Sequence, residues 1–457
     1  MQALTTRRDR HSISRGYRLS ENIAKCCKNQ RAFKAALVGL AGVVLLSGCG
    51  STSKAAVSTS TTSAAPVASV VIGAVNSETG SDASAGLDTL HGSELAVQII
   101  NGKYPDIALP FAATAGLPNL GGAKIKLITM DSQGSPQVAA SDVSQLVTSD
   151  QVSAITGGYA SAVTQTGSAE ADRLGVPFVN GASSALSLTQ RGLKWFFRTG
   201  PTDLTFGEAM FGLLKQEAAA GHSVSRIAIL HTNDTYGNGV ESVTKQLAAE
   251  AGYQIVADVA YDPKSTTDLT PEVLSIRAAH PDVLIDSSYT NDAILLMQDM
   301  SQFNYYPGMI LAYGAGFSDP TFLPTLGSKA TGVMSRAAWN VGIPNPASKA
   351  VAAMFQTEFG RPMTENSARS FTATMALAMA INNARSTKPA AILSALESLN
   401  VPSKDLIVPW SGIKFDATHQ NIDAAGVIQQ ALGGKYQVVY PPNVAVTAPI
   451  WPLSSAR

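Results

Sequence analysis

Cysteine is nearly missing from this chain: all three, Cys26, Cys27 and Cys49, fall within the first 49 of 457 residues. The body downstream therefore offers no disulfide, no thiol nucleophile and no thiolate metal site. Charge is also sparse, at 14% of residues against 45% hydrophobic, the balance of a soluble, globular, lightly charged protein. The zero net charge hides an asymmetry, because residues 1–34 hold nine Lys or Arg against only Asp9 and Glu21. Without that segment 24 basic residues face 31 acidic ones. A mildly acidic body lacks the basic footprint that a nucleic-acid partner requires.

Catalytic signatures are absent too. The chain has no Gly-x-x-x-x-Gly-Lys-Ser/Thr phosphate loop, no His-Glu-x-x-His and no Gly-x-Ser-x-Gly elbow. Gly181-Ala182-Ser183-Ser184-Ala185 comes nearest to the elbow and lacks its last glycine. The six histidines show no paired spacing; His231, at a predicted strand end, is the one candidate for a site, and a satisfied turn histidine is the plainer reading. The expectation is a protein that is not an enzyme, with no metal and no cofactor.

What is present begins with an address. After the basic segment come an apolar run of 12 residues, Ala35 to Leu46, and the tetrapeptide Leu46-Ser47-Gly48-Cys49. The run is too short for a comfortable membrane span and fits the apolar region of a secretory signal. The tetrapeptide resembles the bacterial lipobox, in which the cysteine is lipidated and becomes the mature N-terminus. Residues 1–48 thus read as a lipoprotein signal peptide, with Cys49 as the lipidation site. Residues 49–69 read as a flexible tether, since Gly50 to Ser69 is Ser-, Thr- and Ala-rich and almost uncharged. The expected location is the outer face of the cytoplasmic membrane.

From Val70 the pattern alternates between β-branched runs and helical spacing, which predicts parallel sheets with right-handed crossovers. The stretch Ala154 to Ser184 organises the first set. Two apolar strands end in Gly157-Gly158-Tyr159-Ala160-Ser161 and in Asn180-Gly181-Ala182-Ser183-Ser184, with one crossover helix between them. In a parallel sheet both clusters lie on one edge, where glycine admits a ligand to the backbone and helix-start amides favour a carboxylate or phosphate. Near Thr199-Gly200-Pro201 the alternation restarts, with a strand over Arg226 to His231 and a helix from about Gly239. The remainder from about Trp339 is mainly helical, including Ala368 to Asn383, and closes in two strands. Two such lobes facing each other make a cleft for a small ligand.

Taken together, the residues resemble the leucine/isoleucine/valine-binding family, the solute receptors of ABC importers. The resemblance runs from roughly Val70 to Tyr440. It is carried by Thr79-Gly80 with Gly92, the Asp131-Ser132 to Pro136 turn, Gly157 to Thr164, Gly175-Val176-Pro177, Leu188 to Gly192 with Phe197-Arg198-Thr199, Arg226 to Ile229, and Tyr236-Gly237. It implies an α/β fold of two Rossmann-like lobes with parallel central sheets, joined by a multi-strand hinge. Lobe 1 would comprise 70–199 and 338–422, and lobe 2 would comprise 200–337 and 423–457.

The resemblance also implies a site. Ser161, Ser183 and Ser184 would hold the ligand carboxylate, Ala182 would leave it room, and Tyr236 and Tyr289 would close over it from lobe 2. The ligand would be a branched-chain or related amino acid, and the partner an ABC permease. Two departures matter: cysteines that pair in some relatives fall at Gly134 and Ala160, and the acidic residue that neutralises the ligand ammonium falls at Ala315; an aromatic of the first loop also falls at Ala85, implying a roomier pocket. Either Asp286, Asp292 or another acid supplies the charge, or the ligand is not a typical α-amino acid. A sensing receptor for an amide, urea or small carboxylate is the alternative reading.

Overall fold

A computed structural model describes residues 69–457. Cys49, the signal segment and all but the last residue of the tether lie outside the described residues.

The first sheet has five parallel strands: β1 (Ser69–Asn76), β2 (Lys124–Asp131), β3 (Ile155–Gly157), β4 (Phe178–Asn180) and β5 (Phe196–Arg198), in the order β2-β1-β3-β4-β5. Helices α1 (Ala83–Asn101), α2 (Pro136–Thr148) and α3 (Ser161–Leu174) are its crossovers. Side chains alternate along β1: Val70 and Ile72 enter the core shared with α1, while Val75 enters the core of α2 and α3. Because helices cover both faces, the strand reads as a continuous apolar run.

The second sheet has seven strands. β6 (Arg226–Thr232), β7 (Gln254–Tyr261), β8 (Val283–Ser287), β9 (Met309–Ala312) and β10 (Met334–Ala337) are parallel. After the short pair β11 (Asn400–Pro402) and β12 (Gly412–Lys414), β13 (Val427–Leu432) adds antiparallel to β10 and β14 (Lys435–Tyr440) adds antiparallel to β13, giving the order β14-β13-β10-β9-β8-β6-β7. Around it lie α4 (Asp203–Ala219), α5 (Thr235–Ala251), α6 (Thr270–Ala279), α7 (Thr290–Gln302) and the short α8 (Phe322–Leu326).

The chain leaves the second sheet after β10 and forms α9 (Pro346–Phe359), α10 (Glu365–Ala384) and α11 (Pro389–Glu397). α10 packs along α1 and touches β3 and β4, and it is buried all round from Glu365 to Ile381. The chain thus passes between the sheets three times, after β5, β10 and β12. Two passages lie side by side: Arg198 N donates to His419 O at 3.0 Å, and Asn421 N donates to Arg198 O at 2.9 Å.

Two helix starts differ from the sequence reading, for one physical reason. α5 begins at Thr235 rather than near Gly239, because the Asp234 carboxylate accepts from the Tyr236 and Gly237 amides. α10 begins at Glu365 rather than Ala368, because Thr364 accepts from the Asn366 amide. Each cap draws polar residues into a helical first turn, and each of those turns faces the cleft. The two-stranded β11–β12 sheet adds to the two closing strands that the sequence reading placed in the mainly helical remainder. The cluster after β4 leads into a 3-10 turn over Leu186–Thr189 rather than an α-helix.

Candidate functional site

The carboxyl ends of β3 and β4 are tied to each other before any ligand is considered. Gly157 and Gly158 both take positive φ, +105° and +81°, and a Cβ on Gly158 would lie 2.2 Å from Thr164 Oγ1. The side chain of Asn180, fully buried, donates to Gly157 O at 2.7 Å and Gly158 O at 2.8 Å, and accepts from Ser183 N at 3.1 Å. The two loops therefore move as one frame.

Within that frame the three serines differ. Ser183 donates to Tyr159 O at 2.9 Å and shares a 2.6 Å bond with the Thr164 hydroxyl, so its side chain holds the frame together. Ser183 was expected to help hold the ligand carboxylate; it lines the cavity, with its hydroxyl already engaged by Tyr159 O and Thr164. Ser161 opens α3, whose N-cap Ala160 has no side chain to satisfy the first-turn amides; its Oγ accepts from Ala185 N at 3.4 Å. The Ser184 carbonyl accepts from Asp203 N at 2.8 Å, at the start of α4.

Two tyrosines face this frame from the second sheet. Tyr236 sits in the capped first turn of α5 and donates its hydroxyl to Tyr313 O at 2.9 Å. Tyr289, just before α7, donates to Asp234 Oδ2 at 2.8 Å. Its ring lies 5.7 Å from that of Tyr236 and 6.2 Å from that of Tyr159, centroid to centroid. Burial and the surrounding carboxylates keep the Tyr159 and Tyr289 phenols far above their ordinary pKa, so both remain hydroxyl donors.

All six predicted residues, Ser161, Ala182, Ser183, Ser184, Tyr236 and Tyr289, line one cavity between the sheets. It encloses about 20 Å³, room for about one water molecule. Tyr159, Ala160, Ala315, Arg336 and Asn366 complete its wall. Ala160 and Tyr289 also line an outer cavity of about 450 Å³ at the cleft mouth, which is rich in carboxylates. Asp82 stands there on one side, and Asp234, Asp262 and Asp292 with Lys264 on the other. Burial pushes Asp82 up to about 6 and Asp292 up to about 7.

The positions named as departures divide. Ala315 lines the inner cavity, with φ +48°, and no carboxylate shares that wall with it. Asp286 lines neither cavity: it is fully buried, accepts from Ser288 Oγ at 2.6 Å, and burial pushes it up to about 8. Ala85 is buried within α1 and lines neither cavity. His231 is no part of the site; its Nε2 lies 3.4 Å from Asp258 Oδ1 at the edge of β6.

Arg336 is the residue that sequence reasoning missed. It projects from β10, is 2% exposed, and pairs with Glu365 at the start of α10. Its guanidinium carbon lies 3.9 Å from the Phe206 ring centroid, and a Cβ on Gly314 would lie 2.4 Å from that same carbon. Burial opposes ionisation of Glu365, but Arg336, Arg369 and the Ala338 amide outweigh it and hold the carboxyl below its usual range. Arg369, one turn further along α10, donates to the Gly181 and Ala182 carbonyls and so braces the β4 loop. An arginine inside the short strand Met334–Ala337, whose neighbours are all small or apolar, was the available signal, since buried cations are rare without a purpose.

Comparison with known proteins agrees with this architecture. The profile of the periplasmic binding protein family matches residues 69–435. The Leu/Ile/Val-binding protein homolog 8 of Brucella abortus is 28% identical over 396 residues, covering 85% of this chain and 94% of that protein. The fold resembles that of LivJ from Streptococcus pneumoniae, solved with isoleucine, at TM-score 0.68 and 20% identity over 82% of this chain and all of that one. It also resembles a solute-binding protein of Rhodopseudomonas palustris, solved with 3,4-dihydroxybenzoic acid, at TM-score 0.67 and 17% identity over 80% of this chain and 95% of that one. The match of the profile across both sheets and the cleft between them shows that the chain belongs to the periplasmic binding protein family, whose members bind solutes rather than transform them.

Proposed function

We propose that this protein is the extracytoplasmic solute-binding component of an ABC importer, anchored by a lipid on Cys49. It closes by a hinge on a small ligand, a branched-chain or related amino acid, and delivers it to a membrane permease. The lobes of this reading are 70–199 with 338–422 and 200–337 with 423–457. A ligand held between them stabilises the closed state through contacts it makes only there.

The observation that supports this reading is the meeting of Ser161, Ala182, Ser184, Tyr236 and Tyr289, drawn from four separate segments, around one cavity. The relatives named for leucine, isoleucine and valine binding support an amino-acid class. Ala315, with no carboxylate beside it in the inner cavity, favours the second reading, a receptor for a small carboxylate.

A thermal-shift screen of amino acids, amides and small carboxylates tests the proposal. Ligand at a hundred times its Kd adds about 2.7 kcal/mol, or about 3 °C in Tm for a chain of this size. Failure of every compound to raise Tm would count against solute binding. The anchor is tested separately, since Cys49→Ala should release the protein from the membrane fraction.

A further inference from the structure

The inner cavity is a wall of hydrogen-bond donors. The Arg336 Nε, Asn366 Nδ2 and Tyr159 hydroxyl are each buried and each have no hydrogen-bond partner among the described residues. Their residues are 2%, 1% and 7% exposed, so bulk solvent does not reach them. They come from β10, from the first turn of α10 and from the loop after β3, yet all three line the same cavity. An unpaired buried donor is costly, and three converging on one space describe a place for an acceptor.

Charge points the same way. The inner wall carries Arg336 and no carboxylate. An ammonium placed there would face a guanidinium with no carboxylate on that wall to neutralise it. A second carboxylate reaching outward would instead meet Asp82, Asp234 and Asp292 in the outer cavity.

We infer that Arg336 is the specificity-determining residue of this site, and that the ligand is a small monocarboxylic acid without an ammonium beside its carboxylate. Arg336 takes the carboxylate, with Tyr159 and Asn366 supplying the remaining donors. The apolar part of the acid points past Ala315, where the wall is small. This rests on the reading of the cleft as a solute site and takes its second form, a small carboxylate, over the amino acid.

The test is titration calorimetry on the purified protein with matched probes: 4-methylpentanoate against leucine, 3-phenylpropanoate against phenylalanine, and 4-methylpentanamide as the uncharged form. The acid should bind at least about tenfold more tightly than its amino acid and its amide. Arg336→Gln should weaken the acid about tenfold or more. Because Arg336→Gln also disturbs a buried ion pair, Tyr159→Phe provides a second variant. It removes a hydroxyl with no partner among the described residues, so Tm without ligand should hold while acid binding weakens at least about threefold. Tenfold tighter binding of leucine than of 4-methylpentanoate would overturn the inference and leave the solute-binding reading standing. Unchanged acid affinity in both variants would also overturn it. Binding of no probe at all would overturn both.

Discussion

Arg336 and Glu365 form a buried ion pair that joins a strand of the seven-stranded sheet to the first turn of α10, the helix packed against the five-stranded sheet. Glu365 also accepts from Ala338 N at 2.8 Å, in the segment where the chain passes from one sheet to the other. The pair therefore holds the angle at which the two halves meet, as well as the guanidinium that faces the cavity. Removing one partner of such a pair leaves the other charge buried alone. Glu365→Gln should cost about 3–5 kcal/mol in urea denaturation. A loss below about 1 kcal/mol would show that Arg336 is neutralised by another group.

Ser183 separates framework from ligand contact. Its hydroxyl joins the loops after β3 and β4 and is 1% exposed. Ser183→Ala should destabilise the protein by about 1–2 kcal/mol, because Thr164 Oγ1 and Tyr159 O lose a buried partner. Affinity for any ligand found in the screen should change much less than stability does. The opposite pattern, stable protein with weakened binding, would return Ser183 to the ligand-contacting set.

Gly314 tests the packing behind Arg336. Its φ of +74° suits glycine alone, and a Cβ there would press on the guanidinium at 2.4 Å. Gly314→Ala should cost about 2–4 kcal/mol through strain and overpacking together. The guanidinium must also shift, so ligand affinity should fall along with Tm. Retention of both would mean that β9 and its following turn yield easily.

Asp286 predicts a pH dependence of stability. Burial pushes it up to about 8, whereas an unfolded aspartate titrates near about 4. Between these values the folded protein holds a proton that the unfolded chain has released, so this group's contribution to stability falls as pH rises. Asp286→Asn keeps the neutral form at every pH. The urea midpoint of the wild type should therefore fall more between pH 5 and pH 8 than that of the variant; parallel curves would show that Asp286 is ionised in the fold.

The two clusters after β3 and β4 were legible because glycine, a short apolar run and a helical spacing each act within a few residues. Tyr236 and Tyr289 were legible through resemblance, and both line the cavity. The role of the Ser183 hydroxyl was not, since its partner Thr164 is nineteen residues away and meets it only after the crossover folds. Glu365 and Asn366 were hidden by a helix start that depends on the Thr364 cap, and boundaries are where local propensity decides least.

The sequence by itself determined the alternation of strands and helices, the small-residue sheet edge and the missing acid at Ala315, because each is a local pattern or a single identity. Only the tertiary structure decided what stands in that acid's surroundings. Arg336 and Asn366 are thirty residues apart with a passage between the sheets dividing them, and only packing α10 against the first sheet brings both to Tyr159. A charge's effect depends on what surrounds it in three dimensions, and that information is carried by the fold.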